Sequence, residues 1–401
     1  MTPEAARTFA SVAEREDEFQ LATYKKFPFA PERGRGSWVE TNEGARYLDL
    51  YGGHAVAATG HCHPRVVDAL KRQADSLLFY SNLVYSDVRA RAAAKLASVA
   101  PAGLGKVFFC NSGTEANENA MRMARMKTGR EAVITFAGGF HGRTADAISA
   151  TFLGKYREIG RPNVPGHLCA EFGDIESVEK LAGDDVAAVM LEPIQSMAGV
   201  REAAPEFFAA LRRLCDERGM LLIYDEVQTG VGRTGEWFFA GSEAGARVVP
   251  DIVTLAKALG SGVPVGACLV SEAVAVSIKE NDLGTTFGGG MLAMAAVEAT
   301  LEAIEADTMI ENARRVEQHL RARLAEMKGV ARLRGRGMLL GVEFEEASAA
   351  DVQKSLLARG VITGTSSDAR VLRLLPPLCL TTEEADVFVE ALDASLRELH
   401  G

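Results

Sequence analysis

Between about residues 90 and 270 the chain repeats one theme: a helical stretch, a short apolar run rich in β-branched or aromatic residues, then a loop of Gly, Asn, Ser or Asp. The runs lie at 106–110, 132–136, 186–191, 221–224, 252–255 and 265–270. Strands that are apolar on both faces must be covered on both faces, and the intervening helices supply that cover. The pattern predicts an α/β fold built on a mostly parallel sheet flanked by helices. Ligands of such sheets bind beyond the carboxyl ends of the strands, and the unusual polar residues of this chain follow these runs.

At 401 residues the chain exceeds what one small core needs. Before the repeating region, residues 38–40 and 47–50 read as a hairpin around Asn42-Glu43-Gly44. After it come a helix over 291–305, a break near Asp307, a helix over 309–327, strands at 330–333 and 338–344, a helix over 350–359 and a last helix from Thr382. This suggests an N-terminal segment (1–55), a large domain (56–292) and a smaller α+β C-terminal domain (293–401).

The net charge of −10 is spread along the chain with no basic run, which argues against a nucleic-acid partner. Apolar stretches are interrupted well before the ~20 residues of a membrane helix. Residues 5–21 are acidic and amphipathic rather than signal-like, so a cytoplasmic protein is expected. The six cysteines show no two-residue spacing, and free, mostly buried thiols are expected. His61-Cys62-His63 resembles a metal run, but no second ligand cluster completes it. It is read as a turn into a helix that Pro64 begins, and no metal is expected.

Three constellations carry chemistry. Asn111-Ser112-Gly113-Thr114-Glu115-Ala116-Asn117 joins a strand to a helix. The unpaired N–H groups and dipole of such a helix start favour an anion. Ser and Thr are also ordinary helix caps, so both readings stay open. Asp225 directly follows an apolar strand, where an ionised carboxylate needs a cation or donors beside it; a helix cap or a salt bridge is the plainer reading. Lys257 follows the run at 252–255 and precedes Gly260, Gly262 and Gly266. A lysine at a strand end also serves as a solvated surface residue. In an apolar, glycine-rich site, however, desolvation lowers its pKa as Schiff-base chemistry requires.

A phosphate nest, a buried acid and a desolvated lysine at three strand ends of one sheet are what a pyridoxal 5′-phosphate (PLP) site needs. The motifs "NSGTEAN" (111–117), "FHGRT" (140–144), "LEPIQ" (191–195), "DEVQTGVGRTG" (225–235), "AKALG" (256–260), "TTFGG" (285–289) and "LRLLPPL" (372–378) follow one another in the chain. In this the sequence, from about Tyr24 to the last helix, resembles the class III aminotransferases of PLP fold type I, nearest the acetylornithine and ornithine aminotransferases. The resemblance implies a seven-stranded central sheet and a homodimer with shared active sites.

It also implies roles. Ser112, Gly113 and Thr114 would bind the cofactor phosphate, with Thr286 reaching the partner subunit's cofactor. Phe140, preceding His141, would stack on the ring and Val227 would pack on its other face. Asp225 would pair with the ring nitrogen, Gln228 would approach the phenolic oxygen, Lys257 would form the Schiff base, and Glu192 would lie beside the cofactor. Arg143 and Arg373 resemble the family's carboxylate binders, and Tyr24 a substrate-contacting tyrosine. Ser81 and Asn82 would line the pocket from the dimer interface. The implied activity is ping-pong transfer of an amino group from an amino acid to an oxo acid such as 2-oxoglutarate.

One departure bears on substrate. Where relatives carry a glutamate that masks the second arginine, this chain has Met197, in Ser196-Met197-Ala198-Gly199-Val200. Arg373 is then expected to stay available in both half-reactions, admitting an α-amino acid as donor. A second departure, Gly290-Met291 in place of Asn-Pro or Gly-Pro, should alter only a helix entry. Racemases, an aminomutase and a decarboxylase share the fold and the lysine and form the main alternative, with a non-catalytic PLP-binding protein a further one. A dinucleotide-binding dehydrogenase lacks its G-x-G-x-x-G turn here.

Overall fold

In the computed structural model, which describes residues 8–400, the six apolar runs all become strands of one seven-stranded sheet. Its strands are β1 (Lys106–Cys110), β2 (Ala132–Phe136), β3 (His167–Ala170), β4 (Val186–Leu191), β5 (Leu221–Asp225), β6 (Ile252–Leu255) and β7 (Gly266–Val270). Their order is β1-β7-β6-β5-β4-β2-β3. All neighbours are parallel except the two pairings of β7. β2 and β4 are buried at every position, as strands covered on both faces must be. β3 has no counterpart among the apolar runs: it is an edge strand of sequence HLCA with its middle partly exposed, so it lacks the uniform apolar signature.

The helices needed for the site are α1 (Pro64–Ser76), α2 (Asp87–Val99), α3 (Gly113–Thr128), α4 (Pro205–Arg218), α5 (Met291–Ala306) and α6 (Met309–Leu324). Pro64 and Pro205 open α1 and α4, where the missing N–H costs nothing. Gly129 and Gly219, both at positive φ, close α3 and α4. α3 lies across β6 and β7, while α5 packs on α1, α2 and the turn that carries Lys257. The break expected near Asp307 falls between α5 and α6, with Thr308 at φ 49°.

Toward the C-terminus, strands Val330–Arg336, Leu339–Phe344, Val371–Leu374 and Gly364–Thr365 form an antiparallel sheet. The N-terminal hairpin has a third strand, Pro31–Arg35, and takes Val361–Ile362 as a parallel fourth on its other side. That pairing covers an edge the hairpin alone would expose, and gives it the strand count a small sheet needs. Of the amphipathic N-terminal stretch, a helix spans Phe9–Phe19, and residues 5–7 lie outside the described residues. No described helix is long and apolar enough to cross a membrane.

Candidate active site

The carboxyl ends of β1, β2, β4, β5 and β6 converge on a cavity of about 870 Å³. Its walls include Ser112, Gly113 and Thr114 after β1, Phe140, His141 and Arg143 after β2, Glu192 after β4, Asp225, Val227 and Gln228 at the end of β5, and Lys257 after β6. Tyr24, Met197 and Arg373 reach it from outside the sheet.

Ser112 caps α3: its Oγ accepts from Glu115 N at 3.3 Å, while Glu115 turns back to accept from Asn111 N at 2.5 Å. The N–H groups of Gly113 and Thr114 have no helical carbonyl to donate to and lie at the cavity wall. The cap and the anion site are therefore compatible at one turn. A Cβ on Gly113 would meet the Val227 methyls at 3.0 Å, so glycine lets the start of α3 pack directly on Val227. The Gln228 Oε1 is buried without a partner. Anion donors, a buried carboxylate, an unspent amide and a lysine amine lining one cavity fit PLP.

Asp225 is 3 % exposed. Its Oδ2 accepts from Asn117 Nδ2 at 2.7 Å and is 2.8 Å from His141 Nδ1, and its Oδ1 accepts from Val227 N at 3.1 Å. Three donors satisfy the oxygens of this buried carboxylate. Lys257 opens a 3-10 turn after Ala256 and sits at φ 37°, a left-handed conformation that costs a side-chain-bearing residue energy. Burial pushes its ammonium below the ordinary lysine range, opposed by the charges of Asp225 and Glu192.

Glu192 accepts from Phe140 N at 2.9 Å and so fixes the ring-bearing residue. Burial, then the neighbouring Asp225 charge, pushes its carboxyl up to about 7. A raised carboxyl pKa makes the folded state hold a proton that the unfolded chain, at about 4.3, has released. Its contribution to stability is therefore full below about pH 4 and lost as pH rises through about 7. Glu192→Gln should raise the melting temperature of the cofactor-free protein relative to the parent at pH 8 and leave it unchanged near pH 4. Equal shifts at both pH values would contradict this.

Arg373 is 5 % exposed, yet its hydrogen bonds go to neutral groups: Thr365 O at 2.7 Å, Ser196 Oγ at 3.2 Å and Tyr51 Oη at 2.7 Å. Among the described residues no carboxylate forms an ion pair with it. Arg143 lies at the exposed mouth, stacked over Tyr24 and Tyr156 at 5.5 and 5.1 Å. Tyr51, His54, Asn117 and Tyr156 line the cavity without having been singled out from sequence; the Tyr51-Gly52-Gly53-His54 run offered only a turn signal.

Ser81, Asn82 and Thr286 do not line this cavity. Asn82 instead donates to Gly288 O at 2.8 Å, and Phe79 packs on Phe287 at 5.2 Å, so segments 79–82 and 285–288 form one surface cluster. His61 and His63 pair with different carboxylates, Asp49 and Asp307, each at 2.9 Å, and Pro64 starts α1 as the turn reading requires.

The family model for "Aminotransferase class-III" matches residues 20–396. The chain belongs to the class III aminotransferases. It is 45 % identical over 382 residues to the acetylornithine aminotransferase of Methanopyrus kandleri, covering 95 % of this chain and 97 % of that one. Identity is 42 % with the acetylornithine aminotransferase of Archaeoglobus fulgidus, covering 94 % and 98 %. Among solved structures, the ornithine aminotransferase of Toxoplasma gondii superposes with a TM-score of 0.90 at 28 % identity, covering 98 % and 95 %. The acetylornithine aminotransferase of Elizabethkingia anophelis gives 0.84 at 27 %, covering 98 % and 100 %. The family uses PLP to transfer amino groups, and the matches favour transfer over racemisation, decarboxylation or mere cofactor binding.

Proposed function

We propose that this aminotransferase holds PLP between Phe140 and Val227, with its phosphate on Ser112, Gly113 and Thr114, its ring nitrogen on Asp225 and its phenolic oxygen near Gln228. The observation that carries this reading is the convergence of the Lys257 amine, the Asp225 carboxylate and the open start of α3 on one cavity. When bound, PLP supplies a carbonyl that condenses with amines and an electron-poor ring that acidifies the substrate Cα–H. Lys257 Nζ, whose charged form burial disfavours, then removes and returns the proton. Asp225 holds the proton of the ring nitrogen, and Glu192 and Phe140 keep one face of the slot closed. Arg373 and Arg143 orient carboxylates, for which the planar guanidinium fork is suited.

The donor is proposed to be ornithine, its N-acetyl derivative or an α-amino acid, and the acceptor an oxo acid such as 2-oxoglutarate. Similarity to acetylornithine aminotransferases supports the first two. The neutral surroundings of Arg373 beside Met197 support an α-amino acid as well, because a buried cation without a carboxylate attracts one in either half-reaction. A panel of ornithine, N-acetylornithine, glutamate and alanine against 2-oxoglutarate and pyruvate, read by the absorbance of the bound cofactor, tests this. Exclusive use of N-acetylornithine would remove the α-amino acid from the proposal.

Met197→Glu should restore a mask. A hydrogen bond to a charged group is worth about 1.5–3 kcal/mol, so the glutamate half-reaction is expected to fall by about 10- to 100-fold in kcat/KM. The N-acetylornithine half-reaction should change little. A uniform loss for both donors would show that residue 197 acts on packing and not on Arg373.

The assembly is proposed to be a homodimer in which Ser81, Asn82 and Thr286 serve the partner's site. Leu78, Tyr80, Leu83, Tyr85 and Phe287 are exposed around that cluster, and grouped exposed apolar side chains mark association surfaces.

A further inference from the structure

We propose that Asn117 is the positioning residue that fixes the Asp225 carboxylate, an inference that rests on Asp225 serving the cofactor's ring nitrogen. Asn117 is 1 % exposed and stands on α3, one turn beyond Gly113 and so on the same face. The helix whose start offers N–H groups to the phosphate therefore also carries the residue that grips Asp225. One rigid element sets the two anchor points of the ring.

The amide has a defined orientation. Thr254 Oγ1 donates to Asn117 Oδ1 at 2.6 Å, which puts the carbonyl side toward β6. Nδ2 then faces the cavity wall and uses both its hydrogens, on His141 O at 2.7 Å and on Asp225 Oδ2 at 2.7 Å. A carboxylate only accepts, so His141 Nδ1, 2.8 Å from the same Oδ2, carries the proton of that bond. Each carboxylate oxygen has about two acceptor sites. Oδ2 is filled by Asn117 and His141, whereas Oδ1, with Val227 N alone, keeps one site free. A fourth N–H, from a protonated heteroaromatic nitrogen, is thereby directed to Oδ1. Without Asn117 the carboxylate can rotate and share both oxygens, and its alignment with the ring is lost.

The charged and titratable groups around Asp225 are His141 after β2, Glu192 after β4, Glu226 beside it and Lys257 after β6. Asn117 is the neutral donor among them, and this decides the test. Asn117→Asp preserves shape while exchanging the donor for a carboxyl opposite Asp225. Protonated, that carboxyl still donates to Oδ2; ionised, it repels it.

The experiment uses PLP-loaded protein and the fastest donor of the panel, with kcat, KM and the bound-cofactor spectrum followed from pH 6 to 9. For Asn117→Asp we expect kcat at least tenfold lower at pH 8, partial recovery toward pH 6, KM within about twofold of the parent, and a displaced pH-dependence of the spectrum. Asn117→Ala should lose kcat by a similar factor without the recovery at low pH. Thr254→Val, which touches neither substrate nor cofactor, releases the amide to turn and should cost three- to tenfold in kcat; it also serves if the Asp variant does not fold. Variants within twofold of the parent, or a loss in Asn117→Asp that is flat across pH, would overturn the proposal. A parent protein with neither a cofactor band nor a half-reaction would instead overturn the functional reading beneath it.

Discussion

Lys257→Ala is expected to fold, to bind PLP non-covalently, and to turn over its substrates about 10⁴-fold more slowly or worse. The size follows from two losses at one atom. Nζ is the nucleophile exchanged for the substrate amine, and it is the base positioned to move the Cα proton, a role worth about 10²–10⁴ by itself. The backbone makes the comparison clean. Residue 257 sits at φ 37°, and alanine meets the same Cβ penalty there as lysine, so strain is unchanged and stability should be close to that of the parent. Lys257→Gly relieves the penalty, roughly 1–2 kcal/mol, and should melt higher while remaining as inactive. Borohydride reduction of the parent followed by mass analysis should mark the Lys257 peptide and leave the alanine variant unmarked. Near-normal turnover in Lys257→Ala would mean that another amine does the work.

The strand core was legible because burial on both faces leaves an unbroken apolar run, and β2 and β4 show it at every residue. β3 escaped because an edge strand needs less cover and HLCA carries none of that signature. The antiparallel entry of β7 was not readable either, since a buried strand looks alike in both directions and its pairing with β1 and β6 is a long-range fact. The same holds for Val361–Ile362, two residues too few to announce that they close the N-terminal hairpin.

For the site, residues that follow runs could be located, because strand ends are where a parallel sheet binds. What spacing could not supply was partnership. Asn117 ends the NSGTEAN motif, and its four-residue offset from Gly113 places it on the same helix face; its partners on β5, β6 and after β2 are not contained in that spacing. Tyr51 and Ser196, which hold Arg373, come from elements far apart in the chain, and no local pattern joins them. Ser81, Asn82 and Thr286 lie in neighbouring segments away from the cavity of their own chain.

Asp225 invites the second large effect, and the structure changes which variant should be made. Removing the carboxylate with Asp225→Ala leaves Asn117 Nδ2, His141 Nδ1 and Val227 N buried without an acceptor. Each orphaned donor costs about 1–3 kcal/mol, so that variant loses stability together with activity. Asp225→Asn separates the two. The donors of Asn117 and His141 both converge on the Oδ2 position, so the new amide must place its oxygen there and its NH₂ at the Oδ1 position. A donor then faces the ring nitrogen, which can no longer hold its proton, and also the Val227 N–H, which is orphaned alone of the three. Removing one preorganised electrostatic partner of a reaction costs about 10²–10³ in kcat, and that loss is expected here with PLP still bound and the melting temperature within a few degrees of the parent. Deuterium exchange at the substrate Cα, followed by NMR, should slow by a similar factor, because Lys257 then acts on a less acidic proton. Exchange at the parental rate alongside slow transamination would place the role of Asp225 elsewhere, in the later hydrolytic steps.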